Sequence, residues 1–453
     1  MNFHLENLFF YGSLIFSIMN KKLILIPILL IIIVSASIIG VFLIIDNKDN
    51  DTPITPHFFS TVDEQMFYYS SPSIDNEGNI YIGTSHKQRW QAEGNEWSEH
   101  YYLYSFYPNN TKRWEFKTNN SELVKGDPAI HPDGLIIFVA ESYSSINTND
   151  FIPNATYNKL YAVNMEDGTL NWSSPNLVND INDGSWGVNG LHPAIDSNGY
   201  IYVQSQHNIS SFYANGTLRW TDLKTLNYAG SPSIYRDTVY FPSGDTDNLY
   251  IYAYDTNGTI KSEFKGNQPG ANNRYNMISI DDLGRLYAGT DNESFYVLNQ
   301  DGTLNWTFTI STSNAKVRGN IAIDADGTVY LGTKNNENSE FYAFNSDGTE
   351  KWKFQGALQD VYSSPTIMDD GSIFFATEDR YVYRVNKATG NLINRYELQE
   401  DVTWSSCTFD NDGTLYIGDM RGFLYAIDIG GIGLAETPWP CLGGSFNRSR
   451  CVQ

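Results

Sequence analysis

AIDADGTVYLGTKNNENSEFYAFNSDGTEKWKF, residues Ala322 to Phe354, is the stretch from which the rest of the chain can be read. Ala322-Ile323 ends one short apolar run. Asp324 to Gly327 makes a turn, with glycine where positive φ is cheap. Val329 to Gly332 is a second β-rich run, Phe341 to Asn345 a third, Asp347-Gly348-Thr349 another tight turn, and Lys351 to Phe354 a fourth run. β-Branched and aromatic residues bunched between Asp-Gly turns signal consecutive antiparallel hairpins. Four strands per unit at a period of about 40–45 residues indicate propeller blades.

The unit recurs. The position before the Ile or Val of each first strand falls at Pro72, Pro128, Pro193, Pro232, Ile278, Ile321, Pro365 and Cys407, and the last three intervals are 43, 44 and 42 residues. The first two, 56 and 65 residues, carry insertions. Eight units follow, and the fold expected is all-β: an eight-bladed β-propeller of four-stranded antiparallel blades over residues 57–430. Fourth strands carry Trp114, Trp172, Trp220, Trp306 and Trp352, with Ser262 and Asn394 in that slot in two other units. The last unit lacks a fourth strand. His57-Phe58-Phe59 lies in fourth-strand register with no unit before it, and is expected to fill the gap and close the ring, removing an exposed sheet edge.

Composition agrees with a β-rich globular chain: 453 residues, 15% aromatic, net charge −23. That acidity excludes a nucleic-acid partner, whose phosphates demand Lys and Arg. Residues 23–45 run without a charge, long enough to cross a ~30 Å hydrocarbon layer as a helix. Lys21 and Lys22 precede this run and Asp46, Asp49 and Asp51 follow it, so the positive-inside bias puts residues 1–22 in the cytoplasm, 46–56 as a polar tether, and the propeller outside the cytoplasm. A cleaved signal peptide is the alternative, but the apolar run is too long and no small-x-small site ends it. Met19 is an alternative start.

The SPSI openings at Ser71 and Ser231, SPTI at Ser364, the IYIG and LYIG strands at Ile80 and Leu415, FLYAID from Phe423, and the DGTLNW stretches ending at Trp172 and Trp306 resemble the pyrroloquinoline-quinone-type (quinoprotein-dehydrogenase-like) propeller repeat family. The resemblance covers residues 57–430. It implies that the five tryptophans dock each blade onto the next, an aromatic layer rather than a cofactor box. The family includes quinone dehydrogenases and non-catalytic scaffolds, among them the propeller lipoprotein of the outer-membrane barrel assembly machine. The dehydrogenases carry a vicinal Cys-Cys pair over the quinone and a Glu, Asn and Asp set for calcium. This chain has only Cys407, Cys441 and Cys451, none adjacent, so neither pyrroloquinoline quinone nor calcium is expected.

Other chemistry finds little support. Seven histidines are scattered without metal-site spacing, and His131 and His192, at first-strand ends, read as structural. Asp-rich turns such as Asp324 to Gly327 and Asp410 to Gly413 lack the bidentate Glu of a calcium loop and read as hairpin turns. Ten Asn-x-Ser/Thr sequons would suit an exported surface, although Asn-Gly-Thr is also a good turn. In the tail, residues 431–453, Cys441 and Cys451 are expected to form a disulfide in an extracytoplasmic setting. Pro438-Trp439-Pro440 is expected to pack on the propeller rim. Cys407 reads as a buried inner-strand residue.

Blade geometry selects a face. Loops joining second to third strands, and fourth strands to the next first, emerge together. The insertions Thr84 to His100 (with Trp90 and Trp97), Glu141 to Asn158, and Ser174 to Asn189 (with Trp186) are all of these kinds. On the same face, three residues before the ruler positions, stand Tyr69, Lys125, Tyr275, Arg318, Tyr362 and Trp404, expected as aromatics and cations around the channel mouth. Long loops on a rigid scaffold, with Tyr, Trp and Arg as anchors, suit a binding site. The expected function is a membrane-anchored, non-catalytic binding or scaffold module for a protein, peptide or glycan. The alternative is an enzyme, a divergent quinoprotein oxidoreductase or a carbohydrate-active propeller using Asp180, Asp183 or Glu141.

Overall fold

Asp-Gly turns fold their flanking strands into hairpins, and a computed structural model shows these assembled into eight blades, with one further two-stranded ladder, Gln65–Met66 with His86–Lys87. It describes residues 58–452, apart from 62–64, 68–69, 88–100, 110, 120–121, 144–154, 176, 179–190, 206–207, 225–227, 245–247, 268–276, 336–337, 355, 357, 403 and 446–450. The apolar run 23–45 and the tether 46–56 lie outside them. Among the described residues no helix is long and apolar enough to cross a membrane.

The deciding stretch forms one blade, the sixth, with strands Ala322–Ile323, Val329–Gly332, Phe341–Phe344 and Glu350–Lys353 in antiparallel order. The first three strands are fully buried and the last is half exposed, which places the first strand innermost and the fourth at the rim. Blades 1, 3, 5 and 7 repeat the order. Blades 2 and 4 elongate it. In blade 2 the second strand, Leu135–Tyr143, and third, Ala155–Asn164, keep pairing through Glu141↔Asn158 and Ser142↔Tyr157, so part of that insertion is ladder rather than loop.

Blade 8 is built from both ends of the propeller. Thr408–Phe409, Thr414–Gly418 and Phe423–Asp428 are joined at the rim by Phe58–Thr61, antiparallel, with Phe58 opposite Tyr425 and Thr61 opposite Phe423. The closing strand thus begins at Phe58, while His57 lies outside the described residues.

A ring of hydrogen bonds around the axis ties the inner strands. One residue before six of the eight ruler positions, the amide of one blade donates to the side chain of the next: Ser71 to Asp127 (2.6 Å), Asp127 to His192 Nδ1 (2.7 Å), His192 to Ser231 (3.2 Å), Asn320 to Ser364 (2.8 Å), Ser364 to Ser406 (2.9 Å) and Ser406 back to Ser71 (3.0 Å). Between blades 4 and 5 a backbone bridge, Ser231 with Met277, takes that place. One residue beyond the ruler, the hydroxyls of Ser73, Ser233, Ser279, Thr366 and Thr408 donate to inner-strand carbonyls of the following blade. Buried polar groups need such partners. Pro72, Pro128 and Pro365, which have no N–H to satisfy, suit the ruler position.

The rim is tied differently. Trp114, Trp172, Trp220, Trp306 and Trp352 each donate Nε1–H, at 2.6–3.1 Å, to a carbonyl in the next blade's third-to-fourth turn: Met165, Ala214, Thr256, Ser346 and Lys387. Each indole covers a positive-φ glycine of that turn, Gly168, Gly216, Gly258, Gly348 or Gly390, so closely that a Cβ there would lie under 3 Å from the ring.

The tail departs from expectation. Rather than packing on the rim, it runs across the axial opening and pairs with the inner strands. Asp369 N–H donates to Gly433 O, Ala435 N–H to Ile367 O, Ile367 N–H to Pro440 O and Ile323 N–H to Trp439 O, at 2.8–3.0 Å. Cys451–Val452 then pairs in parallel with Ile234 and Tyr235 of blade 4. The physical reason is that each inner strand presents one unpaired edge to the axis, and an apolar segment satisfies those groups while burying itself. Trp439 becomes fully buried against Ile323 and its neighbours.

Candidate functional site

The tail fixes the polarity of the disc. Its contacts fall at Ile323, Ile367, Asp369 and Tyr235, where inner strands run into their first-to-second turns. It therefore lies on the face opposite the insertions.

At that mouth the loops before blades 6, 7 and 8 bring Arg318, Tyr362 and Trp404 together. The Tyr362 and Trp404 rings lie 4.5 Å apart at 41°, and the Arg318 guanidinium lies 6.0 Å from the Trp404 ring. Lys334, from the second-to-third loop of blade 6, stands 5.2 Å from the Tyr362 ring. Tyr362 is 8% exposed and lies beneath this layer, while Trp404 is half-buried and gives the group its aromatic surface. Burial pushes the Tyr362 phenol up to about 12, although Lys334 opposes the shift.

The cations here are spoken for. Arg318 holds Asp291 through two parallel bonds, Nε to Oδ1 at 2.8 Å and Nη2 to Oδ2 at 2.6 Å. Burial disfavours the guanidinium's charge, but Asp291 outweighs it and leaves the pKa raised. Lys334 meets Asp360 at 2.5 Å, and Lys125 meets Glu141 at 3.0 Å with both side chains buried. Each ion pair joins a loop between blades to the end of a second strand or its following turn, which stiffens the mouth and neutralises its positive charge. An aromatic patch over compensated charges suits a protein surface better than a polyanion.

On the same face the second-to-third turn of blade 8 holds an unusual acid. Asp419 Oδ1 accepts the N–H groups of Arg421 (2.8 Å) and Phe423 (3.0 Å), and Oδ2 accepts the Tyr425 hydroxyl (2.7 Å). Burial outweighs these bonds and raises its pKa to about 6.

Tyr69, Tyr275, Trp90, Trp97, Trp186, Asp180 and Asp183 lie outside the described residues. Lys125 and Glu141 are brought together, but as a buried pair, so neither is an exposed anchor or an acid facing solvent. Cys407 is buried on the inner strand of blade 8 and Cys441 in the tail, while the Cys451 side chain lies outside the description, and with it the expected disulfide. His131 Nδ1 accepts the Asp133 N–H, so its Nε2 carries the proton and donates to Gly199 O at 2.8 Å. His192 belongs to the axial ring. Asp75, Asp196, Asp281 and Asp410, at the first-to-second turns, accept two turn amides and a tyrosine hydroxyl each, from Tyr81, Tyr202, Tyr287 and Tyr416. These carboxylates brace turns. Among the described residues no three His, Cys, Asp or Glu side chains converge as a metal site would require.

Sequence reasoning missed Asp291, Lys334 and Asp360 because their partners lie 25–27 residues away across blade connections. The signal was available only once the blade register was known, since it places a second-to-third turn beside the following interblade loop.

Residues 250–431 match a family model described as "Outer membrane protein assembly factor BamB". No curated protein matches the sequence. Among solved structures, BamB from Moraxella catarrhalis is similar at 15% identity and a TM-score of 0.55, covering 82% of this chain and 99% of its own. The quinohemoprotein alcohol dehydrogenase from Comamonas testosteroni is similar at 12% identity and a TM-score of 0.56, covering 86% and 80%. The computationally designed Ika8 protein reaches a TM-score of 0.58 at 10% identity, covering 83% and 98%. At these identities the likeness is one of fold. Residues 250–431 thus carry the BamB-type repeat, and the chain is built as a propeller of the pyrroloquinoline-quinone-like kind that its motifs resemble.

Proposed function

We propose that this chain is a non-catalytic binding or scaffold module that engages a protein partner through its insertion-bearing face, with residues 23–45 anchoring it in a membrane and the propeller outside the cytoplasm. The observation that carries the reading is the asymmetry of the axial opening. The chain's own tail covers one mouth with backbone hydrogen bonds, while the other bears Trp404 on a braced cluster of Tyr362, Arg318 and Lys334. A rigid aromatic on a preorganised base loses little entropy on binding, which is what interface anchors require. The fold shared with BamB and the family match over 250–431 support a scaffold reading. Glu141, the described acid of the enzymatic alternative, is held against Lys125, and the cysteines provide no vicinal pair, so no step is derived through a quinone.

The test is site-specific photo-crosslinking of the full chain in its native membrane, with the probe at 404 or at Leu223, an outer-strand residue 76% exposed on the rim. A discrete protein adduct from 404 and none from 223 is expected. Equal labelling from both positions, or none from 404, overturns the reading.

A further inference from the structure

Each of blades 1 to 5 carries one Asn-x-Ser/Thr sequon at its rim, and blades 6 to 8 carry none. The asparagines are Asn109, Asn171, Asn215, Asn257 and Asn305, and residues 306–446 contain no sequon. All five are exposed, in the turn from third to fourth strand or in the first residues of the fourth. Two positions are used, five residues and one residue before the tryptophan slot. Blades 1, 3 and 4 have asparagine at the first and a cation, Arg113, Arg219 or Lys261, at the second, whereas blades 2 and 5 have Asp167 or Asp301 at the first and asparagine at the second. Blade 6 has Asp347 and Lys351, and no sequon. Turn chemistry does not account for this alternation. Asn109 and Asn215 Oδ1 accept the amide of the threonine two residues on, at 3.2 and 3.0 Å, but Asp167, Asp301 and Asp347 Oδ1 accept the same bond at 2.9–3.0 Å, and Asp255 braces the turn of blade 4. Aspartate serves the turn as well as asparagine. Where it does so in blades 2 and 5, the sequon reappears four residues on, inside a strand.

The exposed apolar side chains give a second, independent sign. Among the described residues eight large ones are exposed, and six of these, Tyr107, Leu170, Tyr213, Leu218, Ile260 and Leu304, lie within three residues of a rim sequon asparagine. None of the eight lies in blades 6 to 8. Apolar residues scattered singly over a surface are ordinary, but these follow the sequons. The position held by Leu170, Leu218, Ile260 and Leu304 is Glu350 in blade 6, while blade 1 has Lys112 there and sets Tyr107 beside its sequon instead. Aromatic faces and aliphatic branches are surfaces on which the C–H faces of a sugar pack out of water.

We propose that Asn109, Asn171, Asn215, Asn257 and Asn305 carry N-linked glycans, which coat the rim of blades 1 to 5 and leave blades 6 to 8 bare. The inference rests on the extracytoplasmic placement proposed above, because the donor, a lipid-phosphate-linked oligosaccharide, is used on that side of a membrane. The asparagine Nδ2 attacks the anomeric carbon of the donor sugar. The C–N bond forms, the C–O bond to the lipid phosphate breaks with its electron pair leaving on the phosphate, and one amide proton is released. The nitrogen keeps its other hydrogen, so the bonds from Asn171 Nδ2 to Asn164 (3.0 Å) and from Asn305 Nδ2 to Asn299 (2.8 Å) survive the transfer. The exposed apolar side chains then lie under sugar rather than in water. The bare sector is the one whose interblade loops bring Arg318, Tyr362 and Trp404 together.

The test is glycopeptide mapping by mass spectrometry of the full chain extracted from its native membrane. Asn208 and Asn292 supply the comparison, because both are half-buried and the serines of their sequons, Ser210 and Ser294, are buried. Sugar on the five rim asparagines, at an occupancy severalfold above that of Asn208 and Asn292, is expected. Thr217→Val keeps Asn215 but removes the hydroxyl its sequon requires, and should clear the sugar from that peptide while the other four keep theirs. Bare rim asparagines, equal occupancy at Asn208 and Asn292, or sugar on Asn215 in the Thr217→Val chain overturns the proposal. Treating intact cells beforehand with a membrane-impermeant amine reagent, read at Lys353 of blade 6, whose side chain is 36% exposed, separates this failure from that of the placement. Labelled Lys353 with bare asparagines overturns the glycan proposal alone, and unlabelled Lys353 with bare asparagines overturns the extracytoplasmic placement with it.

Discussion

The two mouths of the propeller solve the same physical problem in opposite ways. Inner strands that converge on an axis leave backbone edges and apolar side chains facing it. On one side the chain uses itself: the tail pairs with blades 7, 6 and 4 and inserts Trp439. On the other, interblade loops are braced by Arg318–Asp291, Lys334–Asp360 and Lys125–Glu141, and Trp404 is left at the surface. The first mouth is stabilised by burial and the second by charge pairing, so the two should respond to different perturbations.

The largest effect belongs to the tail. Trp439→Ala removes a fully buried indole from the core of blades 5 and 6 and should cost about 3–5 kcal/mol in denaturant unfolding. Trp439→Phe should cost far less, because the buried indole N–H has no hydrogen-bond partner to lose. If Ala and Phe destabilise equally, the tail is not held by packing. On the opposite mouth, Arg318→Leu strips Asp291 of a bidentate partner while that carboxylate is 4% exposed, and should cost about 2–3 kcal/mol. Arg318→Lys should recover only part of it, since an ammonium cannot form the fork. High salt should leave the Trp439 effect unchanged and narrow the Arg318 effect slightly, as partly buried pairs are weakly screened.

Asp419 offers a pH test confined to the insertion-bearing face. Burial raises its folded pKa to about 6, against 3.8 as the ordinary value, so between these limits the folded state binds the extra proton. Its contribution is present at low pH and is lost as pH rises from about 4 to 6. The nearby Glu400 adds to the upward shift, and Arg421 pairs with Glu400. Asp419→Asn should flatten this component, on the order of 1–3 kcal/mol in the wild-type minus variant difference. A difference that grows with rising pH would show that the amide and hydroxyl bonds win over burial.

How much of this could be read in the sequence follows from what repetition encodes. A period reports contacts made by every unit, so the eight blades, the closing strand near Phe58 and the tryptophan slots at Trp114, Trp172, Trp220, Trp306 and Trp352 were legible, as was Ser262 in place of a sixth tryptophan. How the seam closes around Ser262, with Tyr240 only 1% exposed, was not, because a missing residue says nothing about how its neighbours fill the gap. The course of residues 431–453 was equally opaque. A segment that occurs once has no template to be compared with, and its partners, the axial edges of Ile234, Ile323 and Ile367, are present in all eight blades without preference. Blade 2 shows a third limit: Glu141 and Asn158 read as the ends of a loop, yet the ladder continues through them because polar residues at a strand end do not stop backbone pairing.

The smallest expected effect tests whether the closing step of the ring is like the others. Thr366 Oγ1 donates to Cys407 O at 3.0 Å across the seam of blades 7 and 8, and Thr408 Oγ1 to Pro72 O at 2.8 Å across the closure. Thr366→Val and Thr408→Val remove matched bonds between buried partners, so at equilibrium each should cost about 1 kcal/mol, and the two should agree within a few tenths. The chain between the bonded residues differs greatly, 41 positions against 336, but that difference belongs to forming the ring. It affects equilibrium only if partly open states are populated. Kinetics should therefore separate what equilibrium does not. Residues 62–72 connect the fourth strand of blade 8 to the first strand of blade 1, but blade 8 itself is held between Phe423–Asp428 and Phe58–Thr61 by pairing alone. It is therefore the place where unfolding can begin without first extending a loop, and Thr408→Val should speed unfolding more than Thr366→Val does. Equal unfolding rates would mean that the pairing of Phe58–Thr61 with Phe423–Asp428 makes blade 8 as durable as the seven blades whose four strands are consecutive in the chain.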